Sequence, residues 1–313
     1  MAVAFGPGIM PGHNYVSACD IVLSETGQLP HLPVLPDRGK DHSLVALTAG
    51  LSPELFLAPG PRTWVMEHRE SSLSRSLRVN VERDLDVAEA LWTTVDAVKF
   101  QIAGPFSLAA QLETPTGQPV LQDPGALEHL TDCLVEAATQ FSATLAHRLG
   151  AQRVVVQVDE PRLDEVAAGA LPGPTTFDPI RPVHSEAVRE RLARFPESHL
   201  LLNLCGSPEN VAAVTAPTIV DVAAMQTRSA LLDVLGNRLD SASAVLALDP
   251  QRVAQDPREE AIALARLCRK LGVDQTILSG IDVTLARPPQ DPGRSYAGLH
   301  ELAEILTRDA GDL

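Results

Sequence analysis

Nine consecutive residues, Arg153-Val154-Val155-Val156-Gln157-Val158-Asp159-Glu160-Pro161, constrain this chain more than any other stretch. Four β-branched valines in an apolar run, stopped by two acids and a proline, read as a parallel strand buried on both faces. In α/β folds the chemistry gathers at the C-terminal ends of such strands. Asp159 is therefore the point around which other groups are to be placed.

Further segments repeat the pattern. Val98 to Ala103 is an apolar run ending in a Gly104-Pro105 turn, and Thr63 to Met66 is a short strand candidate. Beyond the opening strand, residues 200–205, 218–223, 244–249 and 275–282 are four short apolar runs, each preceded by a helix-period segment. Helical spacing covers residues 14–26, 42–52, 79–96, 124–149, 185–195 and 296–308, with Asp123-Pro124 as a start signal and Gly150 as a stop. Residues 4–13 look like a short strand breaking into a Gly/Pro turn. Residues 31–36 are too rich in proline for anything but an extended edge or loop. The polar run 67–72 reads as a solvated loop, with His68 a weak site candidate, and residues 162–182 as a long loop over the strand ends. About eight strands alternate with helices, so the expectation is a single (β/α)8 TIM-type barrel, residues 1–313, with insertions at its N-terminus and between strands. At 313 residues the chain exceeds the roughly 250 that such a barrel needs.

Composition excludes several function classes. A formal charge of −15 opposes binding to a phosphate backbone, so no nucleic-acid partner is expected. No apolar run approaches the roughly 20 residues of a membrane span, and Met1 to Pro7 lacks the form of a secretory signal. A cytoplasmic protein with a small-molecule ligand is the expectation; the sequence leaves the oligomeric state open. Cys19, Cys133, Cys205 and Cys268 are too far apart for a zinc knuckle or a redox pair, and Cys133 and Cys268 fall on apolar helix faces.

If the strands are parallel neighbours, Asp159, Glu160, Asn203, Cys205, Gln226, Asp249 and Asp282 converge on one face. Asp249 and Asp282 read equally as helix caps or satisfied polar groups. Asp159 is the stronger candidate, because a charge at the end of a buried strand needs a partner. Cys205, just before Ser207-Pro208, is either a thiolate held by a helix N-terminus or a plain thiol.

Gln157-Val158-Asp159-Glu160-Pro161 resembles the Q-x-D-E-P motif of the C-terminal catalytic domain of cobalamin-independent methionine synthase, within the uroporphyrinogen decarboxylase/methionine synthase-like superfamily. Gly8-Ile9-Met10-Pro11-Gly12, Leu29 to Pro33 and Ile102 to Pro105 look like its short, single-domain actinobacterial branch. The resemblance implies a barrel methyltransferase in methionine biosynthesis, in which zinc activates the homocysteine thiol toward a methyl group from a folate or corrinoid. It also implies that Asp159 faces the substrate amino group, with Glu160, Gly8 and Met10 in the substrate-binding set and Cys205 lining the site; without a metal, thiol activation needs another base, for which His13 is the only early-loop candidate. The family's zinc ligands, a His and a Cys in H-x-C, then a Glu and a final Cys, fall on Asn203, Cys205, Gln226 and Asp282. One ligand of four survives, and neutral amides are weak donors, so zinc is disfavoured though not excluded, and no other cofactor is assigned. Ile9 also stands where the family commonly has a serine. Three readings remain: a methyltransferase acting on a small thiol, a catalytically idle barrel binding a small molecule or partner, and a metal-free lyase or decarboxylase.

Overall fold

The computed structural model describes residues 1–173, 179–196 and 200–313. Side-chain caps set many of its helix starts. Asn14 accepts from Ser17 N–H at the head of α1 (Tyr15–Thr26), and Ser43 from Ala46 N–H at α2 (Leu44–Leu51). The hairpin of β1 (Phe56–Pro59) and β2 (Trp64–Glu67) follows, and then α3 (Ser72–Trp92), capped by Ser71. Next come β3 (Ala97–Ala103), the short α4 (Pro105–Ala109) and β4 (Leu112–Glu113). Asp123 caps α5 (Pro124–Arg148) and Pro124 opens it, as the sequence signals. Each such cap contributes about 1 kcal/mol.

The second half alternates more closely: β5 (Arg153–Asp159), α6 (Leu163–Ala168), α7 (Ser185–Leu192), β6 (Leu200–Asn203), β7 (Thr218–Asp221), α8 (Val222–Met225), α9 (Ser229–Asp240), β8 (Ala244–Leu248), α10 (Pro250–Gln255), α11 (Pro257–Leu271), β9 (Val283–Leu285) and α12 (Pro292–Asp309). Six strands form one curled, all-parallel sheet in the order β3-β5-β6-β7-β8-β9, while β1, β2 and β4 form a small separate sheet. No helix among the described residues is long and apolar enough to cross a membrane.

Period-two alternation gives the large sheet two apolar faces. Val154, Val158, Phe100 and Ile102 sink into the large cluster shared with the helices. Phe5, Leu29, Val155, Leu201, Ile219, Val245 and Ala247 form a separate cluster on the concave side. Burying one such side chain is worth roughly 1.5–3 kcal/mol, which is why the middle of β5, Val154 to Val156, is apolar and its polar groups lie toward its two ends. Two extended segments flank the sheet. Ala4 pairs in parallel with Val283 at one edge, His31 with Lys99 at the other, and Ile9 with Val34 between them.

Several expectations change. Residues 4–10 form single bridges and not a regular strand. Residues 275–282 are not a strand: Asp274 caps a 3₁₀ turn at Gln275–Gly280, and β9 starts only at Val283. Helix α3 begins at Ser72, ahead of residue 79, because Ser71 caps it; His68 stays in the exposed loop before it. The expected loop 162–182 contains α6, and its residues 174–178 lie outside the described residues.

Candidate functional site

Asp159 is the last residue of β5, in register with Ala103 of β3 and Asn203 of β6. Its Oδ1 accepts from Gln157 Nε2 at 2.7 Å and from Asn203 Nδ2 at 2.9 Å. Gln157 Nε2 also donates to Pro7 O at 2.9 Å, which ties the opening turn to the site. On its other side Gln157 Oε1 accepts from Lys99 Nζ at 2.6 Å. An ammonium can only donate, so it fixes the amide orientation and turns the NH2 toward Asp159. Asn203 is fixed likewise, because its Oδ1 accepts from Cys205 N–H at 3.1 Å.

Lys99 is fully buried, with its ammonium 5.6 Å from the centre of the Phe5 ring. Burial pushes its pKa down from the ordinary lysine value, and the charge of Asp159 opposes that. Burial pushes Asp159 up, against the donors Gln157 and Asn203 and then the charge of Lys99. Each group needs the other, since an isolated buried charge is costly. Lys99 is not among the residues that the sequence singles out. Its signal is a lone lysine at an alternate position of Val98-Lys99-Phe100-Gln101-Ile102, which must point to the concave side if the strand is covered on both faces.

Around this network lie further polar groups that the sequence does not single out. His31 is fully enclosed beside Tyr296, ring centres 5.7 Å apart, and neither His31 nitrogen nor the Tyr296 hydroxyl has a hydrogen-bond partner among the described residues. Burial, and then the charge of Lys99, hold His31 well below the ordinary imidazole value, so it is neutral. Gln101 lies against Gly8, whose φ of +111° and lack of a side chain allow the approach: a Cβ there would stand 2.2 Å from the Gln101 carboxamide carbon.

Other expected site residues lie elsewhere or do other work. Glu160 is enclosed, and both its oxygens accept backbone N–H groups at the head of α4, Phe106 at 2.8 Å and Ser107 at 2.7 Å. Burial still pushes it up to about 7, and both carboxyl oxygens are engaged in holding the head of α4 in place. Met10 is packed in the helix-side core. His13 is exposed and outside the network. Asp249 is a cap, accepting from Gln251 and Arg252 N–H at the head of α10, and it pairs with Arg287.

Cys205 sits beside Asn203 at the edge of the concave cluster. Burial, then the charges of Asp221 and Asp159, raise its thiol far above the usual range, and only a 3₁₀ turn follows it. Burial above all, and then the two nearby carboxylates, oppose a thiolate there. Gln226 is exposed in a surface groove with Asp249 and Arg252. Asp282 precedes β9, accepts from Val3 N–H at 2.9 Å, and so lies at the opposite end of the sheet from Asp159. The convergence of the four ligand positions therefore fails at two of them. Among the described residues no three His, Cys, Asp or Glu side chains are grouped as a metal ion would require. The donors present do not fit zinc, because Asn203 is a neutral amide engaged by Asp159 and Cys205 and the other two positions, Gln226 and Asp282, lie away from it.

No family model matches the chain. No curated protein matches it either. Among solved structures it is similar to a methyltransferase from Methanosarcina mazei, with a TM-score of 0.54 and 14% identity over 97% of this chain and 93% of that one. The likeness shows a shared α/β fold.

Proposed function

We propose that the chain is a methionine synthase-like, eight-stranded barrel that binds a small amine-bearing molecule at its C-terminal strand ends, anchored by Asp159 and without zinc. The eight-strand reading rests on the bridges Ala4–Val283, Ile9–Val34 and His31–Lys99, which supply two further neighbours between β9 and β3. One observation carries the binding reading. Both amide donors converge on Oδ1 of Asp159, and no described residue donates to Oδ2. A ligand ammonium would complete that carboxylate with a charge-assisted hydrogen bond. Methyl transfer to a small thiol is less well supported, because neither a metal donor set nor a thiolate is at hand. A second reading, metal-free acid–base chemistry of the lyase or decarboxylase kind, is favoured by the opposed shifts of Lys99 and Asp159 toward neutrality.

Thermal melts with homocysteine and methionine test the proposal, since a ligand at a hundredfold over its Kd stabilises by about 2.7 kcal/mol. A shift in the wild type that is lost in Asp159→Asn is expected. An equal shift in that variant, or stoichiometric zinc that disappears in Cys205→Ala, overturns it.

A further inference from the structure

A cavity of about 440 Å³ opens at the opposite end of the sheet from Asp159. Its rim is made where strands begin: Arg153 starts β5, Leu200 starts β6, Ala244 starts β8, and Asp282 immediately precedes β9. Its floor is the underside of the concave cluster, including Phe5, Leu29, Val155, Leu201 and Val245. That volume falls within the ~300–1,000 Å³ usual for small-molecule pockets. In barrels this N-terminal face ordinarily serves stability and is closed by packing, whereas here a hollow remains beneath apolar side chains that are themselves almost wholly buried.

Arg153 and Asp282 are the two ionisable side chains lining the cavity among the described residues. Arg153 is exposed, while Asp282 is half-buried. Burial pushes the Asp282 carboxyl up, and Val3 N–H, the charge of Arg153 and the amino terminus push it back. Val3 uses Oδ1, and no described residue donates to Oδ2.

We infer that this mouth is a second binding site, for a small zwitterion with an apolar body such as an apolar α-amino acid. The ligand ammonium meets Asp282, its carboxylate meets Arg153, and its side chain covers the apolar floor. A plain carboxylate is repelled by Asp282 and a plain amine by Arg153, so the pair selects a molecule carrying both charges. This inference is independent of the site at Asp159.

Calorimetric titration of the intact protein with L-leucine tests it, alongside isoamylamine, which lacks the carboxylate, and isocaproate, which lacks the amine. Leucine is expected to bind wild type and Asp159→Asn alike. Arg153→Gln and Asp282→Asn should each weaken it by roughly tenfold or more, and so should either single-charge analogue. The amide introduced by Asp282→Asn keeps an oxygen for Val3 N–H, and circular dichroism checks that both variants fold. No leucine binding at millimolar concentration overturns the site, as does binding lost in Asp159→Asn but intact in Arg153→Gln and Asp282→Asn. Failure of homocysteine to bind at Asp159 would leave these outcomes unchanged.

Discussion

Lys99 Nζ and Gln157 Oε1 lie 2.6 Å apart, and through that amide a buried ammonium is linked to the carboxylate of Asp159. Both ends are charged in water and both are enclosed by the folded chain. The amide between them spreads the interaction over two hydrogen bonds, so that neither charge is left bare. Stability should therefore depend on pH through this pair.

Lys99→Met tests the basic end. The folded-state pKa of Lys99 lies below its ordinary 10.5, at about 7, so between those values the unfolded chain holds a proton that the folded chain does not. Stability gained this way is fully present above 10.5 and is lost as pH falls toward the folded value, at up to about 1.4 kcal/mol per pH unit. Asp159 acts in the opposite sense: raised above 3.8, it favours the folded state in acid and loses that contribution as pH rises through its folded value. Urea denaturation from about pH 6.5 to about pH 8, below the range in which the raised thiols act in the opposite sense, should show wild type gaining stability with pH relative to Lys99→Met. Parallel curves for the two proteins would show that Lys99 does not titrate on folding.

Particular residues show where the sequence was legible. β5 could be read directly, because four valines and a Pro161 stop allow little else, and α5 because Asp123-Pro124 is both cap and first turn. Asp282 misled because Ile277, Leu278 and Ile281 imitate a strand, while the actual β9 is three residues long and its C-terminal end passes into Ala286-Arg287. Lys99 was hidden because one lysine in an apolar run suits a half-exposed strand equally well. Only the cover on both faces shows that it points inward. Glu160 looked like a site residue because sequence shows an acid at a strand end but not the N–H groups of Phe106 and Ser107 that it meets.

Glu160→Ala strands those two donors in a buried place. Each unsatisfied buried group costs roughly 1–3 kcal/mol, so a loss of several kcal/mol is expected in urea titration. Glu160→Gln keeps one acceptor oxygen and should lose less. Equal losses in both variants would mean that the second N–H finds another partner.

Gly8 and Gly12 make a matched comparison, since their φ angles are +111° and +102° but only Gly8 touches a neighbour, Gln101. Gly12→Ala should incur backbone strain alone, roughly 1–3 kcal/mol. Gly8→Ala adds the displacement of Gln101 and should be distinctly less stable, with a weaker response to any Asp159 ligand because Pro7 and Gln157 are tied to the same turn. Thermal melts of the two variants decide this. Indistinguishable midpoints would mean that Gln101 moves aside freely.

The four cysteines are all free, and burial raises each thiol: Cys19 up to about 12, Cys133 and Cys268 up to about 11, and Cys205 further still. A thiol reacts as its thiolate, so all four should be nearly inert in the folded protein. Titration with a chromogenic disulfide at about pH 8 should find almost no reaction in buffer and all four thiols in guanidinium. Cys205→Ser should leave the native rate unchanged. A single fast thiol in the native protein that vanishes in this variant would restore the thiolate reading of Cys205.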